Sequence, residues 1–166
     1  MHYTVGVASN TRMVGTTSTI ATYSLDWSFL KEDTGYHLSF SFISDKLNLN
    51  QYNDIAVLTI DLGQYNSFRT DYFSPAGTPT QFLGGLVPYL TGGTGASCFL
   101  YADNKTNTPI YLRKKPIGNQ FTVGIYSLNT GLPWTDFTGT PVGTYGLSLI
   151  FTEDDKIYRD IGHTRS

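Results

Sequence analysis

The segment "GYHLSFSFISD" (residues 35–45) alternates large apolar side chains with small polar ones. The apolar positions are Tyr36, Leu38, Phe40 and Phe42, and the positions between them are His37, Ser39 and Ser41. Because a period of two places the two sets on opposite faces of a β-strand, the segment predicts a strand with one buried face. His37 is then expected on the other face, toward solvent or a partner.

Short runs with this period recur along the chain between turn signals. They predict further strands at 2–8, 20–30, 55–63, 96–103, 109–115, 118–128 and 143–154. We expect 96–103 and 109–115 to pair with each other. About eight strands with almost no helical periodicity, no repeats and no linker predict an all-β single domain over 1–166, a two-sheet antiparallel sandwich. A jelly roll fits this strand number best, and an immunoglobulin-like sandwich fits less well because a cysteine pair is missing.

The stretch 64–95 contains three prolines and two glycine pairs, and it predicts a long irregular loop with one short strand near 80–84 or 86–90. One small core does not readily absorb the aromatic residues of this loop, so we take them as candidates for an interaction surface. They are Tyr65, Tyr72, Phe73, Phe82 and Tyr89. Trp134, in a later turn-rich connection, is a candidate plug for one end of the core and a second partner-binding candidate. The polar tail 155–166 is expected to fray or to dock on a neighbour.

Composition narrows the possible partners. Charged residues make up 14% of the chain and the net charge is −2, so no large basic face for nucleic acid is expected. Arg113, Lys114 and Lys115 form the only basic run, a candidate for contact with nucleic acid or an acidic neighbour, although three charges at a strand end are normally solvated. The single cysteine, Cys98, excludes an internal disulfide and a cysteine-rich metal site. Without a long apolar segment or a signal-peptide pattern, we expect no membrane insertion and assembly inside a cell.

Residue patterns that carry chemistry are sparse. The three histidines lack metal-ligand spacing, and no Gly-x-Ser-x-Gly motif is present. The acidic cluster 153–155 is one candidate for holding a cation, although a solvated loop is the preferred interpretation. Asp26 and Asp61 are possible members of a glycosidase carboxylate pair, but each is also explained as an outward strand residue. The sequence therefore predicts no enzyme, no cofactor and no metal.

The order of segments in the first third of the chain resembles a known family. "SNTRMVGTTS" (9–18) is followed by "YSLDWSFL", "GYHLSFSFIS" and "LTIDLG". Near the end, "FTVGIYS", a Pro-Trp loop and "YGLSLIFT" follow in turn. This pattern over 9–63 and 118–152 resembles the single jelly-roll minor capsid and penton-like proteins of large and virophage-like double-stranded DNA viruses.

The resemblance implies a structural function in the virion. It implies contacts with other capsid proteins and with copies of the same chain, and it supplies no catalytic residue. Arg12 with the 9–18 loop, the 64–95 loop and the two termini would be the contact elements. The alternative is a receptor- or glycan-binding jelly-roll head of a viral or phage fibre. A jelly-roll hydrolase or lyase is a third, less supported reading.

Overall fold

The computed structural model describes residues 1–17, 19–44, 47–48, 56–62, 72–73, 80–90, 97–103, 110–128, 130–134 and 144–154. For 47–48, 72–73, 80–90 and 97–103 the description covers the backbone alone. The strands are β1 (His2–Ala8), β2 (Ile20–Ser24), β3 (Tyr36–Ser44), β4 (Leu47–Asn48), β5 (Ala56–Asp61), β6 (Tyr72–Phe73), β7 (Thr80–Leu90), β8 (Ser97–Asp103), β9 (Ile110–Leu112), β10 (Gln120–Ser127) and β11 (Tyr145–Glu153). Two single-turn 3-10 helices lie at Ser9–Thr11 and Trp27–Phe29.

The strands form two antiparallel sheets. The first sheet has the order β1-β11-β3-β8, and the second has the order β2-β10-β5-β7. The predicted all-β, two-sheet antiparallel sandwich is therefore confirmed. In each sheet a late strand lies between two early ones, as in β1-β11-β3 and β2-β10-β5, and this interleaving is compatible with a jelly roll.

The alternation in β3 produces the burial that it predicts. Every second residue from Tyr36 to Ser44 is buried, and His37 lies on the outer face. Across the ladder, Leu149 of β11 lies opposite Phe40, and both are buried. The nearly continuous apolar run of β5 is buried at all five positions from 56 to 60, so side chains on both faces of this strand are covered.

Aromatic contacts join the two sheets. The Trp27 ring lies 5.6 Å from Phe121 of the second sheet and 5.6 Å from Phe151 of the first. The hydroxyls of Tyr23 and Tyr145 form a buried hydrogen bond of 2.8 Å from one sheet to the other. Burial, together with this hydrogen bond, raises the pKa of Tyr145, so the phenol stays neutral at physiological pH.

The prediction of one strand over 20–30 is wrong. β2 ends at Ser24, and the side chain of Asp26 accepts a 2.9 Å hydrogen bond from the amide of Ser28. Asp26 therefore caps the following 3-10 turn instead of extending the strand as an outward residue. The turn still buries Trp27, while Phe29 is 37% exposed.

The strand expected near 80–84 or 86–90 is longer than predicted, because β7 is one continuous strand of eleven residues that covers both positions. Its residues 81–86 pair with β5 and its residues 87–90 pair with β8, so the strand passes from the second sheet to the first. Pro88, which has no backbone N–H, is tolerated in β7 because the pairing with β5 ends at Leu86. In the described ladders, β7 therefore pairs at Pro88 on one side only, with β8.

The expected pairing between 96–103 and 109–115 is not observed. β8 and β9 both pair with the same edge of β3, β8 along 41–43 and β9 along 36–38. The two segments therefore follow one another along a single edge. The local sequence favours a hairpin, but β3 is long enough to pair with both.

The Tyr23–Tyr145 hydrogen bond predicts non-additive mutational effects. Tyr23→Phe and Tyr145→Phe should each destabilise by about 1–2 kcal/mol, because each leaves a buried hydroxyl unpaired. The double variant should cost less than the sum of the two, with a coupling of at least about 0.5 kcal/mol. Urea unfolding of the four proteins measures this, and additive costs would contradict it.

Gly124 of β10 predicts a steric effect. A Cβ atom there would lie 2.4 Å from Cε2 of Tyr126 and 2.8 Å from Oγ1 of Thr59. Gly124→Ala should therefore destabilise by about 1–3 kcal/mol in urea unfolding. Gly146→Ala is the control, because nothing lies within 4 Å of a Cβ at that strand position. Equal stability of the two variants would refute the steric account.

Candidate interaction surface

The described side chains at the two ends of the sandwich differ in charge. Connections 9–19 and 128–144 leave the sheets at one end, and connections 25–35 and 113–119 leave at the other. Among the described side chains, Arg12 is the sole charged group at the first end, which we call the apolar end (9–17 and 128–134). The other described carboxylates, lysines and arginines lie at the opposite, charged end: Asp26, Lys31, Glu32, Asp33, Asp61, Arg113, Lys114, Lys115, Glu153 and Asp154.

The apolar end presents aliphatic side chains to solvent. Val14 is fully exposed, Leu132 is 61% exposed and Leu128 is 47% exposed. Their turns are hydrogen-bonded, since Met13 donates its amide to Thr22 at 2.7 Å and Ser127 donates to Leu132 at 2.8 Å. Exposed aliphatic groups on ordered turns are suited to contact with an apolar partner. The sequence analysis missed them because a loop aliphatic residue gives no local signal of exposure.

Arg12 lies at this end, where the resemblance places a contact element. Its Nε donates to the carbonyl of Thr16 at 2.9 Å, and its Nη1 donates to the carbonyl of Ser9. Through these two bonds, the guanidinium of Arg12 links Ser9 and Thr16 on the two sides of its own loop. Its role as a partner-binding residue stays a prediction, while its role in ordering the loop beneath Val14 is evident from these bonds.

Trp134 is 7% exposed and belongs to the hydrophobic core. Its amide donates to the carbonyl of Ile125 at 2.9 Å, which fixes the segment against the end of β10. The prediction that Trp134 fills one end of the core is confirmed by this burial. Because so little of the ring is exposed, the partner-binding role expected for Trp134 is not available in this conformation.

The remaining predicted partner residues do not gather at one place in the described part of the chain. Arg113 and Lys114 are exposed at the charged end, and Lys115 forms an ion pair with Glu32. Tyr65, Cys98's side chain and the tail 155–166 lie outside the described residues.

The four other aromatic candidates lie on strands, so the placement of Tyr72 and Phe73 in a loop is wrong, while Phe82 and Tyr89 lie where a short strand was expected. Tyr72 and Phe73 form β6, and Phe82 and Tyr89 lie in β7. Their side chains are outside the description. Whether they contact a partner stays a prediction.

An ion-pair network holds the charged end together. Lys31 Nζ lies 3.0 Å from Glu153 Oε1, and the Tyr3 hydroxyl donates to the same oxygen at 2.9 Å. These hydrogen bonds, the one from Lys31 first, hold the pKa of the Glu153 carboxyl below its ordinary value. The same pairing raises the pKa of Lys31. The network connects β1, the 31–35 turn and β11.

The next carboxylate is engaged separately. Asp154 Oδ2 contacts Nε2 of His37, whose ring packs edge-on against Tyr111 at 4.5 Å. Glu153 and Asp154 of the acidic cluster are therefore not simply solvated, because each carboxylate contacts a different basic group, while Asp155 lies outside the described residues. Among the described side chains, no three His, Cys, Asp or Glu residues gather as metal ligands would.

A shallow groove of about 500 Å³ lies on the outer face of the first sheet, across β1, β11 and β3. Small residues line it, including Gly6, Ser41, Gly146 and Ser148, and Ile43 at its border is 56% exposed. The groove contains no charged side chain among its lining residues.

The lowered pKa of Glu153 predicts a loss of stability in acid. An ionised Glu153 stabilises the folded state above its ordinary pKa of 4.5, and this contribution disappears as the pH falls through the lower folded-state value. Glu153→Gln should therefore lower the melting temperature at pH 7, and the difference from wild type should shrink below pH 4.5.

Thermal melts between pH 7 and pH 3 measure this effect. Lys31→Met removes the first hydrogen-bond donor to the Glu153 carboxylate. In this background, the difference in melting temperature that Glu153→Gln causes at pH 7 should therefore be smaller. A constant difference between wild type and Glu153→Gln over this range would contradict the assignment.

Comparison with known proteins adds no family assignment. No protein-family model matches the chain, and no curated protein sequence matches it. Within the described residues, no helix has the length and apolar character needed to cross a membrane. The likeness to capsid jelly rolls therefore rests on the segments within 9–63 and 118–152 and on a strand order compatible with that fold.

Proposed function

We propose that the chain is a structural protein of a viral capsid, a minor-capsid or penton-like component that contacts neighbouring capsid proteins in an icosahedral shell. The observation that carries the proposal is the interleaved strand order, β1-β11-β3 and β2-β10-β5, which is compatible with the jelly roll that the resemblance implies. Because one fold serves many functions, contact surfaces have to supply the rest of the support.

The apolar end is the proposed contact surface. Val14, Leu128 and Leu132 together offer exposed aliphatic area, and burying apolar area stabilises a contact by roughly 25 cal/mol per Å². Their turns are already ordered by backbone hydrogen bonds and by Arg12, so association would cost little conformational entropy. With Arg12 engaged in its own loop, a neighbour would meet little unpaired charge in the described part of this end.

A receptor- or glycan-binding fibre head is the competing proposal. Sugar sites commonly present flat aromatic rings, whereas the large exposed hydrophobic side chains at the apolar end are aliphatic and Trp134 is buried. These side chains therefore favour a protein neighbour. The proposal includes no catalytic activity, resident cofactor or metal, and it places the chain in the virion.

Purified virions from the source of the chain provide the direct test. Mass spectrometry should find the protein as a stoichiometric component, and a particle reconstruction should place it in the shell with the apolar end against a neighbour. Absence from purified particles would overturn the proposal. Binding of the isolated chain to a glycan array, together with that absence, would favour the fibre-head alternative.

A charge at the apolar end should reduce assembly. Leu132→Asp places a carboxylate in the proposed contact, and its desolvation should lower incorporation into particles by about tenfold or more. Ile117→Asp is the matched control, because Ile117 is 47% exposed at the charged end. Equal incorporation of the two variants, with both folded by circular dichroism, would remove the apolar end from the proposal.

A further inference from the structure

Strand β1 forms one edge of the first sheet, and its outward backbone groups can be identified from its pairing. Glu153 donates its amide to the carbonyl of Met1 at 3.1 Å, which continues the β1–β11 register. Because alternate residues of a strand point their backbone groups to opposite sides, odd-numbered residues of β1 bond to β11. The N–H and C=O groups of His2, Thr4 and Gly6 therefore point away from the sheet.

The corresponding edge of the second sheet is covered by its own chain. At β2, the amide of Ile20 bonds to the Thr17 hydroxyl at 3.0 Å, and its carbonyl accepts from Thr17 at 3.2 Å. The carbonyl of Thr22 accepts from Met13, and its amide lies 3.5 Å from the Thr16 hydroxyl. The 13–17 loop thus satisfies the outward groups of β2.

The β1 edge has no such cover among the described residues. Only Ala8, at its end, has an outward group engaged locally, through the Thr11 hydroxyl at 3.3 Å. His2, Thr4 and Gly6 are exposed, and the strand pairs with β11 in unbroken register without a bulge. The strand also contains no proline, lysine or carboxylate, the devices that usually protect an edge from pairing.

We propose that β1 pairs antiparallel with β1 of a second copy of this chain, which joins the first sheets of two molecules into one. The outward groups without a partner among the described residues run from His2 to Gly6, so the two-fold axis falls at Thr4. Thr4 then lies opposite the same residue of the second copy, and His2 lies opposite Gly6. Each of these pairs exchanges N–H to O=C hydrogen bonds.

The side chains of β1 suit this register. Threonine opposite threonine is a favourable cross-strand pair, and Tyr3 opposite Val5 joins an aromatic ring to a β-branched side chain. Gly6 leaves room for the imidazole of His2, since nothing lies within 4 Å of a Cβ at that position. The pairing brings together no like charges, because residues 2–8 contain no lysine, arginine, aspartate or glutamate.

An exposed apolar group beside the edge adds to the contact. The Phe29 ring, 37% exposed, lies 5.9 Å from the Tyr3 ring on the inner side of β1. A strand added to β1 would cover part of this surface. The inference does not depend on the capsid proposal, because edge pairing is tested on the isolated chain and capsid membership on the virion.

Sedimentation velocity of the full chain over a range of concentrations tests self-association, and residue-resolved amide exchange by NMR tests where it occurs. We expect a reversible dimer in which the amides of His2, Thr4 and Gly6 gain protection as the concentration rises. The amides of Tyr3, Val5 and Val7, which face β11, should change little. A monomer at every concentration, or a dimer that leaves the three outward amides unprotected, would overturn the proposal.

Thr4→Pro supplies an edge-specific variant. Proline removes an outward N–H and leaves the β1–β11 hydrogen bonds in place, so the dimer dissociation constant should rise by at least about tenfold. Thr4→Ala keeps the N–H and should change that constant by no more than about fivefold. Equal dimerisation of folded Thr4→Pro and wild type would refute the pairing, and if Thr4→Pro fails to fold, the exchange pattern of wild type decides.

Discussion

The register between β3 and β11 is the constraint on which the rest of the sandwich depends. These two central strands of the first sheet pair over nine residues each, from Tyr36 with Glu153 to Ser44 with Tyr145. Because side chains alternate between faces, a slip of one residue would turn Phe40, Leu149 and their neighbours toward solvent. The same register sets His37 beside Asp154 and places Glu153 within reach of Lys31. Core burial and the charged end are thus fixed by one ladder.

Strands with one strongly apolar face could be predicted from local sequence. β3 and β11 alternate cleanly, β10 alternates except at the buried Gly124, and the continuous apolar run of β5 matches burial on both of its faces. The segment 20–30 has the same alternation, yet a single capping bond at Asp26 ends the strand. Local periodicity gives no sign of this competition between a side-chain hydrogen bond and the backbone hydrogen bonds of a strand.

Two other features depend on contacts distant in sequence. In the sequence alone, Pro88 indicates that its segment is not a strand. The segment can be a strand because the pairing partner of β7 changes from β5 to β8 just before Pro88. The exposure of Val14 and Leu132 likewise depends on where the loops leave the sheets, since an aliphatic side chain gives the same local signal whether buried or exposed. The sequence therefore indicated the sandwich and the capsid resemblance, whereas the apolar end and the free β1 edge required the three-dimensional arrangement.

The passage of β7 from one sheet to the other also has a mechanical consequence. On that side of the sandwich the sheets share a strand, so separating them means breaking a continuous backbone ladder. On the side of β1 and β2, the described link between sheets consists of side-chain contacts such as the Tyr23–Tyr145 hydrogen bond and the chain connection 9–19. Backbone hydrogen bonds therefore join the two sheets on the β7 side, whereas on the β1 and β2 side no described ladder passes between them, so a local separation of the sheets should start at the β1 and β2 edges.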